Sequence, residues 1–346
     1  MHEKILTIVI PTYNMEKLLP RCLDSLVTPQ SSDSIEVLVV NDGSKDNSLN
    51  VAQEYEKKYP GIIKAIDKEN GNYGSTINKG IEIASGKYFR ILDSDDFYSN
   101  SGLMEFVKKL ETTDSDIILT DYRRDRGQIH DLYKGPSDKQ GIIYNFDDVD
   151  TSIFANFAMH GITYKTSVLR DNKILLSTGI SYTDSEYCFY PIPFIHTFVY
   201  YDILVYCYQV GRPGQTVDVN SQVRSIPHMM KIINRMYDYL KGLTGEETYY
   251  QKLVQGYCNS MNLCFSTSLC YDRSNRFLDE LHKLKENCDS VKGANDILMK
   301  KRMFGVLYYK RYCEKAKASN GIFYTIYYKV VRFVSRTLFR FKSLFV

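Results

Sequence analysis

The sequence has no tryptophan. It also has no closely paired cysteines and no long apolar run, and each of these two absences excludes a class of protein. Its eight cysteines are scattered, and none forms the Cys-x-x-Cys pair typical of zinc and dithiol redox sites. No window of about 18 uncharged apolar residues occurs, so we expect no membrane-spanning helix. The apolar run near the N-terminus is too short for a signal peptide. We therefore expect a cytoplasmic protein with reduced thiols.

Two glycine-rich phosphate-binding motifs are also missing. The first apolar run, residues 5–10, is followed by Pro11-Thr12-Tyr13-Asn14, and the proline is expected to end the strand. This turn has neither the G-x-G-x-x-G of dinucleotide-binding folds nor the G-x-x-x-x-G-K-[ST] of P-loop proteins. The sequence therefore lacks the main motif that would indicate a nicotinamide-dependent oxidoreductase or a P-loop NTPase.

Strand and helix patterns alternate four times in the first 95 residues. Apolar runs predict strands, and helical periodicity or a polar stretch before proline predicts the helices between them. This alternation predicts an α/β fold, with a Rossmann-like, mostly parallel sheet flanked by helices. From residue 226 onward, the periodicity predicts a C-terminal helical region. The predicted strands are 5–10, 35–40, 62–66, 88–92 and 116–119, the helices are 15–26, 45–59 and 76–84, and residues 69–75 are a polar loop.

Three carboxylates, Asp93, Asp95 and Asp96, directly follow the fourth predicted strand. In an open α/β sheet, ligands bind beyond the carboxyl ends of the strands. Crowded carboxylates repel one another unless a cation lies between them, and hard oxygen ligands suit Mg²⁺ or Mn²⁺. Taken alone, the motif is equally compatible with an acidic turn or a helix N-cap.

Four segments resemble, in order and spacing, the motifs of the family 2 glycosyltransferases, which have the A-type nucleotide-sugar-binding fold. The segments are IVIPTYN, VVNDGSKDNS, the loop that ends in Asn78-Lys79-Gly80, and YFRILDSDD. The resemblance covers about residues 5–215. It implies that Asp93 and Asp95 form an Asp-x-Asp motif that binds Mn²⁺ or Mg²⁺, with Asp93 and Ser94 also facing the donor. Asp96 is expected to cap the next turn.

The same resemblance implies a nucleoside site built from Pro11, Thr12, Tyr13 and Asp42. Asp42 is expected to accept the ring N–H of the base, usually uracil; a cap over the turn that follows it is the alternative. One difference affects this site. Many relatives carry Ala-Arg-Asn where this chain has residues 76–78, Thr-Ile-Asn. The arginine that often reaches the nucleotide is thus absent, which weakens the implication of UDP.

A fifth segment, residues 179–187, is similar to the family's catalytic segment. Asp184 stands where relatives carry the catalytic base, and Glu186 is the second candidate for that role and a candidate acceptor contact. Acids favoured by the helix dipole are the alternative for both. His160 is a candidate acceptor contact or a buried structural histidine. Arg212 is a candidate diphosphate ligand or a surface arginine.

Two basic segments have open interpretations. Residues 123–126, Arg-Arg-Asp-Arg, are expected to form a solvated turn, with binding of an acceptor phosphate as the alternative. Residues 300–346 carry 12 Lys and Arg residues and one acid. Four of these basic residues recur at helical spacing among apolar residues, a pattern typical of a helix that lies on an anionic membrane. A helix packed on the protein is the alternative, and no motif supports nucleic-acid binding.

The sequence therefore predicts a catalytic domain at residues 1–220, a helical domain at 221–320 and a basic amphipathic helix at 321–346. We expect an inverting glycosyltransferase, peripherally bound to the inner face of the cell membrane. It would move one sugar from a nucleotide-sugar donor, most simply a UDP-sugar, to a glycan or polyprenyl-linked acceptor in cell-surface polysaccharide synthesis. The alternatives are a non-catalytic membrane-associated glycan-binding scaffold and a sugar-phosphate nucleotidyltransferase.

Overall fold

The computed structural model describes residues 4–27, 34–136, 140–151, 153, 158–212, 215–272, 276–302 and 307–316. These residues fall into two units. The first lies within Met1–Arg126 and His130–Val210, and the second within Gly127–Ile129 and Gly211–Val346.

A ten-stranded sheet forms the centre of the first unit. Its strands are β1 (Leu6–Thr12), β2 (Ile35–Asp42), β3 (Ile63–Lys68), β4 (Tyr88–Ile91), β5 (Phe97–Tyr98), β6 (Ile117–Arg126), β7 (Ile129–Tyr133), β8 (Tyr144–Asn145), β9 (Ile162–Lys165) and β10 (Thr197–Gln209). The order is β3-β2-β1-β4-β9-β6-β10-β5, and β7 and β8 pair with β6 and β10. Strands β1 to β4 are mutually parallel, and β9 lies antiparallel between β4 and β6. The predicted mostly parallel sheet is present.

Helices cover both faces of this sheet because side chains of successive strand residues point to opposite faces. Along β1, Ile8 and Ile10 enter one hydrophobic core. Val9 points to the other face, where Gly80 permits close approach of a helix: a Cβ on Gly80 would lie 2.5 Å from a methyl group of Val9. The helices of this unit are α1 (Leu19–Asp24), α2 (Ser48–Lys58), α3 (Asn72–Ile83), α4 (Asn100–Leu110), α5 (Thr166–Arg170) and α6 (Asp184–Phe189).

The prediction that Pro11 ends the first strand is wrong. Strand β1 continues to Thr12, and Pro11 pairs with Val40 of β2. On its other side, β1 pairs with β4 only as far as Val9. Proline cannot donate to a sheet ladder, but on that side there is no ladder left for it to interrupt.

Two predicted helices begin at different residues. Helix α1 is shorter than predicted and starts near Pro20, which favours the first turn of a helix. Helix α3 starts at Asn72, inside the predicted loop, and Ser75 Oγ and Thr76 Oγ1 donate to the carbonyl groups of Asn72 and Tyr73 in its first turns. The predicted loop is therefore the first turn of a helix.

The predicted basic turn at residues 123–126 is the end of strand β6. Arg123 forms two hydrogen bonds with Asp125, at 2.7 and 3.0 Å, and Arg124 pairs with Asp131 of β7 at 2.7 Å. Both guanidinium groups thus have carboxylate partners within the sheet. The prediction of a solvated turn is wrong.

The described part of the second unit is helical, as predicted. Its helices are α7 (Val219–Arg224), α8 (Ile226–Lys241), α9 (Tyr250–Tyr271), α10 (Leu278–Asp289), α11 (Ala294–Leu298) and α12 (Tyr308–Ala316). Helix α9 packs against α8, α11 and α12. None of the described helices combines the length and apolar character that a membrane span requires. The predicted amphipathic helix at 321–346 lies outside the described residues.

Candidate functional site

Three predicted site residues lie at the carboxyl ends of neighbouring parallel strands. Thr12 ends β1, Asp42 ends β2, and Asp93 follows β4 after one residue. Since β1 pairs with both β2 and β4, these ends meet at one edge of the sheet. This is the edge where open α/β sheets bind ligands.

Asp93 has an extensive network of partners. The hydroxyl group of Tyr73, in the first turn of α3, donates to Asp93 Oδ1 at 2.7 Å. The backbone N–H of Asp93 donates to the hydroxyl oxygen of Tyr206 at 3.2 Å. Burial, together with the charges of Asp95 and Asp184, raises the pKa of Asp93 to about 8, although the hydrogen bond from Tyr73 opposes this shift. A cation beside Asp93 would favour its ionised form.

The hydrogen-bond partners of the Asp96 side chain contradict its predicted role as a turn cap. Its side chain is fully buried. One carboxylate oxygen accepts from the hydroxyl group of Tyr206 at 2.6 Å, and the other accepts from the backbone N–H of Gln209 at 2.7 Å. Burial, followed by the charges of Asp93 and Asp95, raises its pKa well above the usual value. Asp96 therefore joins the end of β10 to the acidic segment after β4.

His160 lies within an aromatic cluster beside these acids. Its ring stacks on Tyr208 and Tyr122, with centroids 4.3 and 5.4 Å away, and meets the edge of Tyr206 at 4.7 Å. Burial, together with the charge of Arg90, lowers the pKa of His160 to about 3, so the imidazole is neutral. Its buried Nδ1 has no hydrogen-bond partner among the described residues.

A divalent cation fits this part of the site. Potential ligand atoms of Asp93, Asp96 and His160 all lie within 4.8 Å of one another. Two carboxylates and a neutral imidazole nitrogen suit a metal such as Mn²⁺. Asp95, the second acid of the predicted motif, is not in this group; its backbone carbonyl accepts from Arg21 at 2.7 Å. Ser94, between the two acids, is buried.

Asp42 lies at the second part of the site, the predicted nucleoside pocket. Its side chain is 5% exposed and pairs with Lys68 at 2.8 Å. Pro11 and Thr12 are buried beside it in β1, and Tyr13 is 46% exposed. The sequence analysis missed Lys68, although this residue ends β3 in direct register with Asp42. No cap from Asp42 to the turn after it is present among the described hydrogen bonds.

Asp184 and Glu186 begin helix α6 but have different surroundings. Burial raises the pKa of Asp184. Burial, followed by the charge of Asp93, raises the pKa of the Tyr73 hydroxyl group, and the charge of Asp184 raises it further. Glu186 is fully buried, and its two oxygens accept from the backbone N–H and the hydroxyl group of Ser177, at 2.6 and 2.9 Å. This inward position argues against the predicted acceptor contact of Glu186.

The remaining predicted positions are Ile77 and Arg212. Ile77, at the position of the missing arginine, is fully buried in α3. Arg212 belongs to the second unit, where its backbone N–H donates to the side chain of Gln215 at 3.0 Å. Its contact with a diphosphate stays a prediction. Tyr73 and Tyr206 were missed because they are distant in sequence from the acids they contact.

Known proteins resemble this chain in both sequence and fold. Residues 7–170 match the model of glycosyl transferase family 2. The family match is to this segment of the chain, which is a glycosyl transferase family 2 domain. Poly(ribitol-phosphate) beta-glucosyltransferase of Bacillus spizizenii is 31% identical over 186 residues, which are 52% of this chain. The aligned part spans only 28% of the length of that relative.

Two solved structures share the fold of this glycosyltransferase domain and confirm the predicted fold class. S. aureus TarS 1–349, in complex with UDP-GlcNAc, has a TM-score of 0.54 and 17% identity, covering 82% of this chain and 90% of TarS 1–349. Mannosyltransferase PcManGT from Pyrobaculum calidifontis, in complex with GDP-Man and Mn²⁺, has a TM-score of 0.53 and 14% identity, with 96% and 84% coverage. At this identity the likeness concerns the fold alone.

Proposed function

We propose that this protein is an inverting glycosyltransferase that takes a sugar from a nucleoside diphosphate donor. The observation that carries the proposal is the buried Asp93 at the carboxyl edge of the sheet, which accepts a hydrogen bond from Tyr73 at 2.7 Å and whose pKa is raised in part by the charge of Asp184. Asp93 would act on the donor and Asp184 on the acceptor. The family match supports sugar transfer as the reaction.

Asp93, Asp96 and His160 would hold a divalent cation, with Mn²⁺ the best match to the ligand set. When bound, the cation would stabilise the charge that develops on the departing diphosphate. Tyr73 and Tyr206 would orient the acidic segment through their hydrogen bonds to Asp93. Asp95 remains a candidate ligand from the sequence motif.

Asp184 would be the general base. It would take the proton from an acceptor hydroxyl group while that oxygen attacks the anomeric carbon opposite the diphosphate, which inverts the anomeric centre. Burial raises its pKa, which makes its carboxylate a stronger base. Glu186 is the weaker candidate because both of its oxygens are engaged by Ser177.

The Asp184→Asn substitution tests this assignment. We expect it to reduce the release of free nucleotide from UDP-GlcNAc, UDP-glucose or GDP-mannose at least about a hundredfold. Donor affinity, measured by calorimetry, should change by less than about threefold, because the base acts on the acceptor. Asp279→Asn is the matched control, since Asp279 also lies in the first turn of a helix, α10, but in the second unit. Full nucleotide release by Asp184→Asn would contradict the assignment.

The acceptor and the location in the cell belong to the same proposal. We propose a glycan or lipid-linked acceptor of cell-surface polysaccharide synthesis, by analogy with the poly(ribitol-phosphate) acceptor in the name of the Bacillus relative. The basic segment 321–346 would hold the enzyme at the inner face of an anionic membrane. A non-catalytic scaffold and a sugar-phosphate nucleotidyltransferase are the alternatives, and donor turnover as described above would exclude the scaffold.

A further inference from the structure

In the ion pair between Asp42 and Lys68, the described hydrogen bonds reach only one of the two carboxylate oxygens of Asp42. The ammonium group of Lys68 and the backbone N–H of Gly71 donate to the same oxygen of Asp42, Oδ1, at 2.8 and 2.9 Å. The hydroxyl group of Ser75 lies 3.4 Å from this oxygen. Among the described residues, every hydrogen bond to this carboxylate ends on Oδ1. The second oxygen, Oδ2, is left for another donor.

Lys68 itself has no donor to spare. Its ammonium group donates to Asp42, to the backbone carbonyl of Glu69 at 2.5 Å and to the hydroxyl group of Ser75 at 2.9 Å. An ammonium group has three N–H donors, and these three contacts use all of them. Lys68 therefore acts on a ligand through Asp42, as a positioning residue, and its side chain is only 22% exposed.

We propose that Lys68 is a positioning residue: it fixes Asp42, the carboxylate that the family resemblance assigns to the base, so that Oδ2 alone is left to accept the ring N–H of that base. This inference rests on the proposed binding of a nucleoside diphosphate. An ionised carboxylate only accepts hydrogen bonds. Uracil and guanine carry a hydrogen on the ring nitrogen next to a carbonyl group, whereas the corresponding nitrogens of cytosine and adenine carry a lone pair. Oδ2 would bind the former and repel the latter.

Fixing the carboxylate gives the site its selectivity. If Asp42 could rotate freely, a water molecule or a base amino group could satisfy Oδ2 in several orientations. With Oδ1 held by Lys68 and Gly71, a mismatched base leaves Oδ2 unpaired and largely buried. Such a mismatch lowers affinity by about tenfold to a hundredfold.

The test is calorimetric titration of the full chain with UDP, GDP, CDP and ADP, each with Mn²⁺. We expect the wild-type protein to bind UDP or GDP at least about tenfold more tightly than CDP and ADP. Lys68→Met should bring the four affinities to within about threefold, and Lys68→Arg should restore much of the preference. Lys165→Met is the matched control, because Lys165 forms an ion pair with Asp114 at the same 2.8 Å distance but is paired in register with Tyr88, the first residue of β4, at the opposite edge of the sheet.

A second variant, Asp42→Asn, tests the same idea without removing Lys68. Its amide can present a donor where Oδ2 lies, so we expect CDP binding to gain on UDP binding by about tenfold. Unchanged selectivity in both Lys68→Met and Asp42→Asn would overturn the inference and leave the proposed function intact. If the wild-type protein binds none of the four nucleotides, the proposed function fails together with the inference.

Discussion

Asp121 illustrates how burial sets the ionisation of a single residue in this fold. Its side chain lies in β6 and is 2% exposed. One oxygen, Oδ1, accepts from the hydroxyl group of Tyr200 at 2.6 Å and from the backbone N–H of Gly135 at 3.1 Å. Burial, together with a hydrogen bond to the carboxyl group of Asp202, raises its pKa above the usual 3.8. The folded state therefore holds a proton that the unfolded state releases.

The free energy of unfolding should consequently fall as pH rises from the usual pKa of an aspartate toward the raised pKa of Asp121 in the folded state. Because the folded protein binds more protons than the unfolded chain between the two pKa values, the free energy of unfolding decreases with increasing pH. In Asp121→Asn the amide oxygen can accept from Tyr200 and Gly135 while the amide nitrogen donates to Asp202. We expect the variant to gain stability over the wild-type protein as pH rises above 3.8, the usual pKa of the carboxyl group.

Urea denaturation at a series of pH values measures this difference. Asp114→Asn is a control of opposite sign, since the hydrogen bond from Lys165 lowers the pKa of Asp114. That variant should lose stability relative to the wild-type protein as pH rises, and only slightly, because the Asp114 side chain is 70% exposed. Parallel curves for Asp121→Asn and the wild-type protein would contradict the assignment of Asp121.

Between elements, the closest approach near the site is that of helix α3 to the segment that precedes α6. A Cβ on Gly74 would lie 2.1 Å from the carbonyl oxygen of Ser177. The same two segments are joined by the backbone hydrogen bond from Gly179 to Gly71, at 2.8 Å, and by two hydrogen bonds between Asn78 and the backbone of Leu176, both at 2.9 Å. Gly74 thus allows the helix that carries Tyr73 to pack on the segment that leads to Asp184.

The Gly74→Ala substitution should separate these segments. We expect it to lower the free energy of unfolding by about 1–3 kcal/mol, because the added methyl group overpacks the contact. Nucleotide release from the donor should fall more than donor affinity, since Asp184 is displaced from the site. Gly242→Ala is the control: Gly242 has φ of −78°, and its nearest neighbour would be 3.4 Å from the new Cβ. Equal stability of the Gly74→Ala and Gly242→Ala variants in urea would contradict this packing argument.

The sequence predicted elements better than it predicted their ends. Apolar runs located strands β1 to β4, and the helical period located α8 and α9, because both patterns record which residues are buried. Strand β6 was cut short because Arg123 and Arg124 were interpreted as solvated, whereas β6 continues between neighbours that supply their carboxylate partners. Helix α3 was started too late because its first turn, Asn72-Tyr73-Gly74-Ser75, has the polar and glycine-containing composition that is typical of a loop.

The sequence indicated the site residues that belong to a recognisable motif, such as Asp42, Asp93 and Asp184. Asp42 and Asp93 follow recognisable strands, so the sequence indicated both. Lys68 and Tyr206 reach the site through strand pairing and tertiary packing, which a local pattern does not record. Asp96 was misassigned for the same reason, since its partners are more than a hundred residues away in the chain.

At the scale of the whole molecule, the chain combines a family 2 glycosyltransferase domain with a second unit that is helical. All the acids of the candidate site lie in the first unit. Arg212 and the segment 321–346 lie in the second part of the chain, so any contribution they make to donor or membrane binding is additional to the site described. The central claim can therefore be tested on the donor site alone.

Thermal unfolding of the full chain with Mn²⁺ and a panel of nucleotides and nucleotide sugars tests that claim most directly. A ligand that binds only the folded state raises the unfolding temperature, and we expect a rise of at least about 3 °C with UDP or GDP and Mn²⁺ at saturating concentration. Asp93→Asn should abolish the rise, and the control Asp279→Asn should keep it. No rise with any nucleotide, with or without Mn²⁺, or an undiminished rise in Asp93→Asn, would contradict the account.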